Sequence, residues 1–268
     1  MRNEGNWDLR LWRGLFNAKI DKVIPIVIIL IVWEVGVRLF QIPSYFLPPV
    51  SSIIIRLVEL LFSGELLIHT FYTIYRSLLG IFFGTVAGVL IGFMMAWYWY
   101  VDRGLDFIIA ATYPLPKVAL IPLLMVWLGL GEAPKLAMSV VGVIYPVIIN
   151  TVVGAKNIDP LLIKAARDLG ATDQQLFREV MLPGSLPTIF AGLKLGAGVS
   201  FILVVASEMV FGNNGLGYII AEAGSIMHLD TVFAGLMELC IIGICIFLLV
   251  DFLERVAIPW DIKANKVH

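Results

Sequence analysis

Three ionisable residues, Lys117, Lys194 and Glu208, stand inside stretches that are otherwise almost wholly apolar. A charge in such a setting costs roughly 2.5–3.5 kcal/mol by insertion scales and turns toward protein or water rather than lipid. The chemistry open to these groups is solute contact, gating or ion pairing. Lys117 follows Pro114 and Pro116. A cation near unwound backbone is suited to attracting an anionic solute, and a structural role is the other reading. Glu208 comes just before the glycine-rich run GNNGLG (212–217). Two readings stand for it: a hydrogen-bond anchor, or part of an outer gate with Asn213 and Asn214. Lys194 comes early in its stretch and reaches the cytoplasmic interface. Glu34 and Arg38, four apart, can pair on one helix face. Arg76 lies near the outer end of its stretch, where a long basic side chain snorkels to the interface.

Bond-making chemistry has no recognisable constellation here. There is no G-x-x-x-x-G-K-[ST] phosphate loop, so any nucleotide hydrolysis must come from another chain. Neither G-x-S-x-G nor H-E-x-x-H occurs. His69 and His228 fall near the ends of apolar stretches and His268 is terminal, a spacing that suggests no metal site. Cys240 and Cys245 face different sides of a helix and read as packing residues, not a pair.

The elements that carry these residues follow from composition. Of 268 residues 60% are hydrophobic and 15% charged, with a mean hydropathy of +0.93, against about 25% charged in a soluble domain. Too few charges remain to cover a soluble body, so the chain reads as an all-α, polytopic transmembrane helical bundle. The net charge of −1 suggests no nucleic-acid partner. With roughly twenty residues needed per crossing, about six spans are expected, near 23–40, 69–100, 107–130, 134–154, 186–211 and 230–256. The third is interrupted by Pro114, Pro116 and Pro122, so partial unwinding against protein neighbours is expected there. Residues 48–62 read as an amphipathic interfacial helix on the outer side.

With the N-terminus inside, thirteen Lys and Arg residues fall on the cytoplasmic side and only Arg56 and Lys135 on the other. That bias orients the chain with both termini cytoplasmic. Residues 1–22 then form a cytoplasmic N-terminal segment, 23–260 the membrane domain and 261–268 a cytoplasmic tail. The first apolar stretch contains Glu34 and Arg38 and lacks an obvious cleavage site, so it reads as a retained span. Gly80, Gly84, Gly88 and Gly92 make a smooth ridge along the second span. It serves either packing within the subunit or a moving or dimer contact.

One cytoplasmic stretch, DPLLIKAARDLGATDQQLFREVMLPGSLP from residue 159, has the punctuation of two short helices. Asp159 can cap the first, with Pro160 at its first position. Gly170 is placed to end it. Thr172 and Gln175 match a capping box for the second. Leu162, Ala165, Ala166 and Leu169 recur at helical spacing as one narrow apolar face. Leu176, Phe177, Val180 and Met181 form the apolar side of the second helix. A capped amphipathic pair is more than a connector needs, and it reads as a docking knob for a cytoplasmic partner.

KAARDLGATDQQLFREVMLP resembles the EAA motif of ABC importer permeases, E-A-A, three residues, G, nine residues, then I-x-L-P. Lys164, Ala165, Ala166, Gly170, Val180, Leu182 and Pro183 match that spacing, with Lys164 reversing the charge of the motif glutamate. YPLPKVALIPLLMVWLGLG (113–131) and SEMVFGNNGLGYII (207–220) are similar to the nitrate/sulfonate/taurine/bicarbonate branch. The resemblance covers roughly residues 40–260. It implies a type I ABC importer permease fold in a bacterial inner membrane. It also implies a second copy of the permease, two ATPase subunits that hold ATP and Mg, and an extracytoplasmic solute-binding protein. No cofactor is expected in this chain, and it is not expected to be an enzyme. The coupling residues carried over are Lys164, Ala165, Ala166, Leu169, Gly170, Phe177, Leu182 and Pro183. The rival class, a self-contained secondary transporter or channel, predicts repeated halves and charges central to several spans, and neither is visible.

Overall fold

The computed structural model describes residues 24–260. The expectations for the 1–22 segment and the 261–268 tail lie outside the described residues. In chain order α1 covers 24–39, then α2 (Val50–Phe62), α3 (Glu65–Trp97) and α4 (Trp99–Thr112) follow. A 3₁₀ turn (Lys117–Leu120) leads into α5 (Ile121–Leu128), α6 (Glu132–Lys156) and α7 (Pro160–Asp168). A three-residue α8 (Asp173–Gln175) passes through a π turn (Leu176–Met181) into α9 (Leu182–Phe211), followed by α10 (Leu216–Ser225) and α11 (Leu229–Ala257).

The glycine ridge decides how the bundle closes. A Cβ on Gly84 would lie 2.7 Å from the Val143 Cβ, one on Gly88 2.8 Å from that of Val147, and one on Gly92 2.5 Å from that of Thr151. Gly80 meets Ser139 in the same way. The two series rise together in steps of four, so α3 and α6 run parallel with their backbones nearly touching. α6 repeats the device on its other side, where Gly142 admits the Ser200 backbone of α9 and Gly154 meets Ser185. These numbers run in opposite senses, so α9 is antiparallel to α6. In a bilayer, where lipid removes the hydrophobic drive for association, such close van der Waals approach holds helices together. The ridge therefore serves packing within the chain, and α6 is the central post of the bundle.

Because α3 and α6 are parallel, the chain between them must return across the bundle, and this return is broken. Four described helical stretches are long and apolar enough to cross a membrane: Glu65–Trp97, Glu132–Lys156, Asp173–Phe211 and Leu229–Ala257. A fifth crossing exists if α4 and the Lys117–Leu128 stretch count as one span, bent by 96°. The break expected within 107–130 falls at Tyr113–Pro116, between α4 and the Lys117–Leu128 stretch. Pro114 and Pro116 lack the N–H groups a continuous helix would require. The second span begins at Glu65, a turn earlier than expected, and ends at Trp97. The helix expected over 48–62 is α2, which buries Ile53, Leu57 and Leu60. Cys240 and Cys245 are both exposed on α11, not packed inside as expected. Wide apolar faces of α1, α3 and α11 stay exposed, as a lipid-embedded chain requires.

Candidate functional site

Two constellations stand at opposite ends of this bundle. At the first, α7 and α8 form a capped hairpin. The Asp159 carboxylate accepts from Leu161 N at 2.8 Å, and Pro160 opens the helix. Gly170, at φ 83°, turns the chain out of α7 as only glycine does without strain. The Thr172 hydroxyl accepts from Gln175 N at 3.3 Å, while Thr172 N donates to the Gln175 side chain at 2.9 Å. An Arg167–Asp173 ion pair ties the two helices together.

The root of this hairpin is packed. Ile158 and Met181 are buried with Phe93, Ala155 and Ile189, and Ile163, Val180 and Leu182 pack against them. The Phe177 ring sits edge-on to Phe93, with centroids 4.9 Å apart. The tip is bare: Leu161 is 71% exposed, Leu162 58% and Leu169 89%. A leucine contributes about 1.5–3 kcal/mol when fully buried, so Leu161 and Leu162 in the first turn of α7 and Leu169 at its C-cap leave that gain unrealised within this chain. The candidate coupling residues separate accordingly. Lys164, Ala165, Leu169 and Gly170 lie on the surface and Ala166 is half-buried. Phe177 and Leu182 belong to the root, and Pro183, also half-buried, begins α9 beside them.

At the other end α3, α6 and α9 converge on a buried ionic cluster. Arg76, expected to snorkel outward, is 0% exposed. Its Nε and Nη2 donate to the Glu132 carboxylate at 2.6 and 2.7 Å. Its Nη1 donates to Glu208 at 2.6 Å and to the Asn214 carbonyl at 3.0 Å, and Nη2 also meets the Asn214 side chain. Glu208, likewise 0% exposed, accepts from Thr73 Oγ1 at 2.9 Å and from Gly217 N at 3.1 Å. Leu216 N donates to Thr73 Oγ1 at 2.9 Å. Lys135, counted above among outer-loop cations, is buried and donates to Glu132 at 3.3 Å. Two cations and two carboxylates thus cancel, with Arg76, Lys135 and Glu208 buried and the Glu132 side chain 42% exposed at the edge, which is the condition for tolerating buried charge. Glu208 has the geometry of an anchor that fastens the 212–217 loop and the start of α10 to the bundle. Asn213 is exposed on that loop.

A family model described as "Binding-protein-dependent transport system inner membrane component" matches residues 84–258. The chain belongs to this family. The permease is 31% identical to the taurine transport system permease protein TauC of Escherichia coli over 255 residues, 93% of each chain. It is 32% identical to the putative aliphatic sulfonates transport permease protein SsuC of Bacillus subtilis, covering 89% of this chain and 86% of the relative. It is 30% identical to the riboflavin transport system permease protein RibX of Chloroflexus aurantiacus, covering 89% of each. A chain from an inward-facing structure of the MetNI methionine ABC transporter has a TM-score of 0.53 at 22% identity, over 70% of this chain and 94% of that one. It shares the fold. The protein is therefore an ABC importer permease, an inner-membrane subunit that works with ATPase and solute-binding partners.

The remaining singled-out charges of the permease are placed as follows. Lys194 donates to Asp251 at 2.9 Å and pairs with Glu254 of α11, so it clamps α9 to α11. Glu34 and Arg38 pair at 2.6 Å and hold Ser51 at the start of α2. Lys117 begins the 3₁₀ turn in the broken crossing, half-buried, with its ammonium over the Tyr113 and Tyr145 rings. Sequence reasoning missed Glu132 as a functional partner. Its signal was the G-E-A-P-K run at 131–135, where Glu132 and Lys135 stand three apart at a helix start.

Proposed function

We propose that two copies of this permease enclose one solute path and that each copy docks an ATPase through the tip of the α7–α8 hairpin. The supporting observation is the mismatch between a rigid, packed root and an exposed leucine-rich tip carrying Ala165 and Ala166. Small residues let a groove approach the helix backbone, and the leucines fill it. ATP and Mg are held by the ATPase partner, whose closure moves the hairpin and tilts the helices rooted beneath it. The hairpin and both termini face the cytoplasm, in keeping with the Lys and Arg bias, and a solute-binding protein delivers to the α10 end. The cargo is a small anion or small organic solute of the sulfonate or taurine kind, by analogy with the substrates named for TauC and SsuC.

Ala165→Arg or Leu169→Asp tests this reading. Each should weaken co-purification with the ATPase at least tenfold and abolish ATP-driven uptake, while membrane insertion and melting temperature hold. Retained association and uptake would reject the docking face. Solute flux through this chain alone in liposomes, without nucleotide, would instead favour a self-contained transporter. Lys164 departs from the motif, so Lys164→Glu asks whether an acidic groove residue meets it: weaker assembly supports the pairing, and unchanged assembly removes it.

A further inference from the structure

Five basic side chains of this permease lie along the helical bundle rather than at its α7 end or on α1 and α2: Arg76, Lys117, Lys135, Lys194 and Arg255, the last paired with Asp251. Arg76 and Lys135 share Glu132 and Glu208, and Lys194 has Asp251 and Glu254. Lys117 alone among them has no carboxylate partner among the described residues. Its depth follows from α6. The ammonium lies 5.2 Å from the Tyr145 ring centroid, and Tyr145 OH donates to Thr112 at 3.1 Å. Tyr145 stands thirteen residues from the start of α6 at Glu132 and eleven from its end at Lys156, or about 20 and 16 Å at 1.5 Å per residue. The ammonium thus lies beside the middle of α6, away from both of its ends.

Its own surroundings leave it unfinished. An ammonium has three donors, and one is used on the Tyr113 carbonyl at 3.2 Å. The Tyr113 and Tyr145 rings, with centroids 4.8 and 5.2 Å away, steady the cation without neutralising it. Tyr113, Leu115 and Val118 beside it are exposed. A cation with two open donors at this depth faces water or another polar group, because lipid would leave it unsolvated.

We propose that Lys117 is the anion-binding residue of the solute path, taking the sulfonate or carboxylate head of a small organic anion at mid-membrane. This rests on the reading that two copies enclose one path. The breaks at Pro114 and Pro116 then have a use: they turn this stretch out of line so that Lys117 projects from the bundle wall. Arg76 and Lys194, already neutralised, cannot compete for the anion.

The test uses the permease assembled with its ATPase in nanodiscs, with Cys240→Ala and Cys245→Ala to remove the native thiols. Leu115→Cys then reports the local potential through its reaction with sulfonatoethyl and trimethylammonioethyl methanethiosulfonates. With Lys117 intact the anionic reagent should react at least tenfold faster than the cationic one. Methanesulfonate, against chloride at equal ionic strength, should slow the reaction at least threefold. In Lys117→Met the preference and the protection should both vanish, whereas Lys117→Arg should keep them. No labelling by either reagent, or a preference that survives in Lys117→Met, would overturn the proposal. Labelling without protection by methanesulfonate would overturn its ligand class. Failure to assemble with an ATPase at all would instead count against the importer reading, before Lys117 is tested.

Discussion

The two ends of the bundle treat charge and apolar surface in opposite ways. At the α10 end Arg76, Lys135, Glu132 and Glu208 satisfy one another within one chain, and Thr73 and Asn214 take up remaining bonds. At the α7 end Lys164 and Arg178 stand without a carboxylate partner among the described residues, and Leu161, Leu162 and Leu169 face outward. One end is satisfied within the single chain, and the other leaves cations and leucines uncovered. In the docking reading proposed above, the first end would carry stability and the second a partner's affinity.

Substitutions can break that division or sharpen it. The largest effect is expected from Arg76→Met, which strands Glu208 in the interior. Removing one partner of a buried pair costs about 3–5 kcal/mol, read as a large fall in melting temperature of the detergent-purified protein. Adding Glu208→Met should recover part of the loss. An unchanged melt in the single variant would show that water reaches this end. Next comes Gly142→Ala, whose methyl would lie 2.7 Å from the Ser200 Cα. Backbone cannot swing aside, so about 1–3 kcal/mol should be lost to overpacking. Gly198→Ala on α9, the helix that carries Ser200, with nothing within 4 Å, should cost nothing and serves as its control. The smallest effect belongs to the other end. Thr172→Ala removes a helix cap worth about 1 kcal/mol, and should weaken ATPase co-purification several-fold while leaving the melting temperature unchanged. A fall in melting temperature instead would mean that the hairpin is part of the stability core.

What could be read in advance was local. The capping box, the αL glycine and the Glu34–Arg38 pair are set by residues within four positions of one another, and all three are in the structure as expected. The glycine ridge was legible as a packing face because its spacing is helical, although its mate, Ser139–Val143–Val147–Thr151, carries no such mark. Arg76 was misread because depth depends on where the helix starts. Moving that start from 69 to Glu65 sinks the guanidinium by a turn. Its partner Glu208 lies 132 residues away in sequence, so only tertiary packing brings them together. Lys135 was counted with the outer-side cations at the edge of the span expected from 134, whereas α6 starts at Glu132 and packing buries it. The break at Pro114–Pro116 could be anticipated, but its 96° bend depends on how α4 and α5 sit around α6. For the docking set, the motif spacing did not distinguish tip from root, because spacing along the chain does not say which apolar residues the bundle covers.

The π turn at Leu176–Met181 has a consequence for how the ends communicate. It lets α8 run on into α9 without a loop, so Asp173–Phe211 is one rod of 39 residues. Along it Asp173, which the hairpin grips through Arg167, stands about 50 Å from Glu208 at 1.5 Å per residue. The bending points of this rod are the π turn itself and Pro187, both near the hairpin. Should the proposed ATPase partner lean on the near tip, the same helix leads to Glu208 and to the short bonds it shares with Arg76.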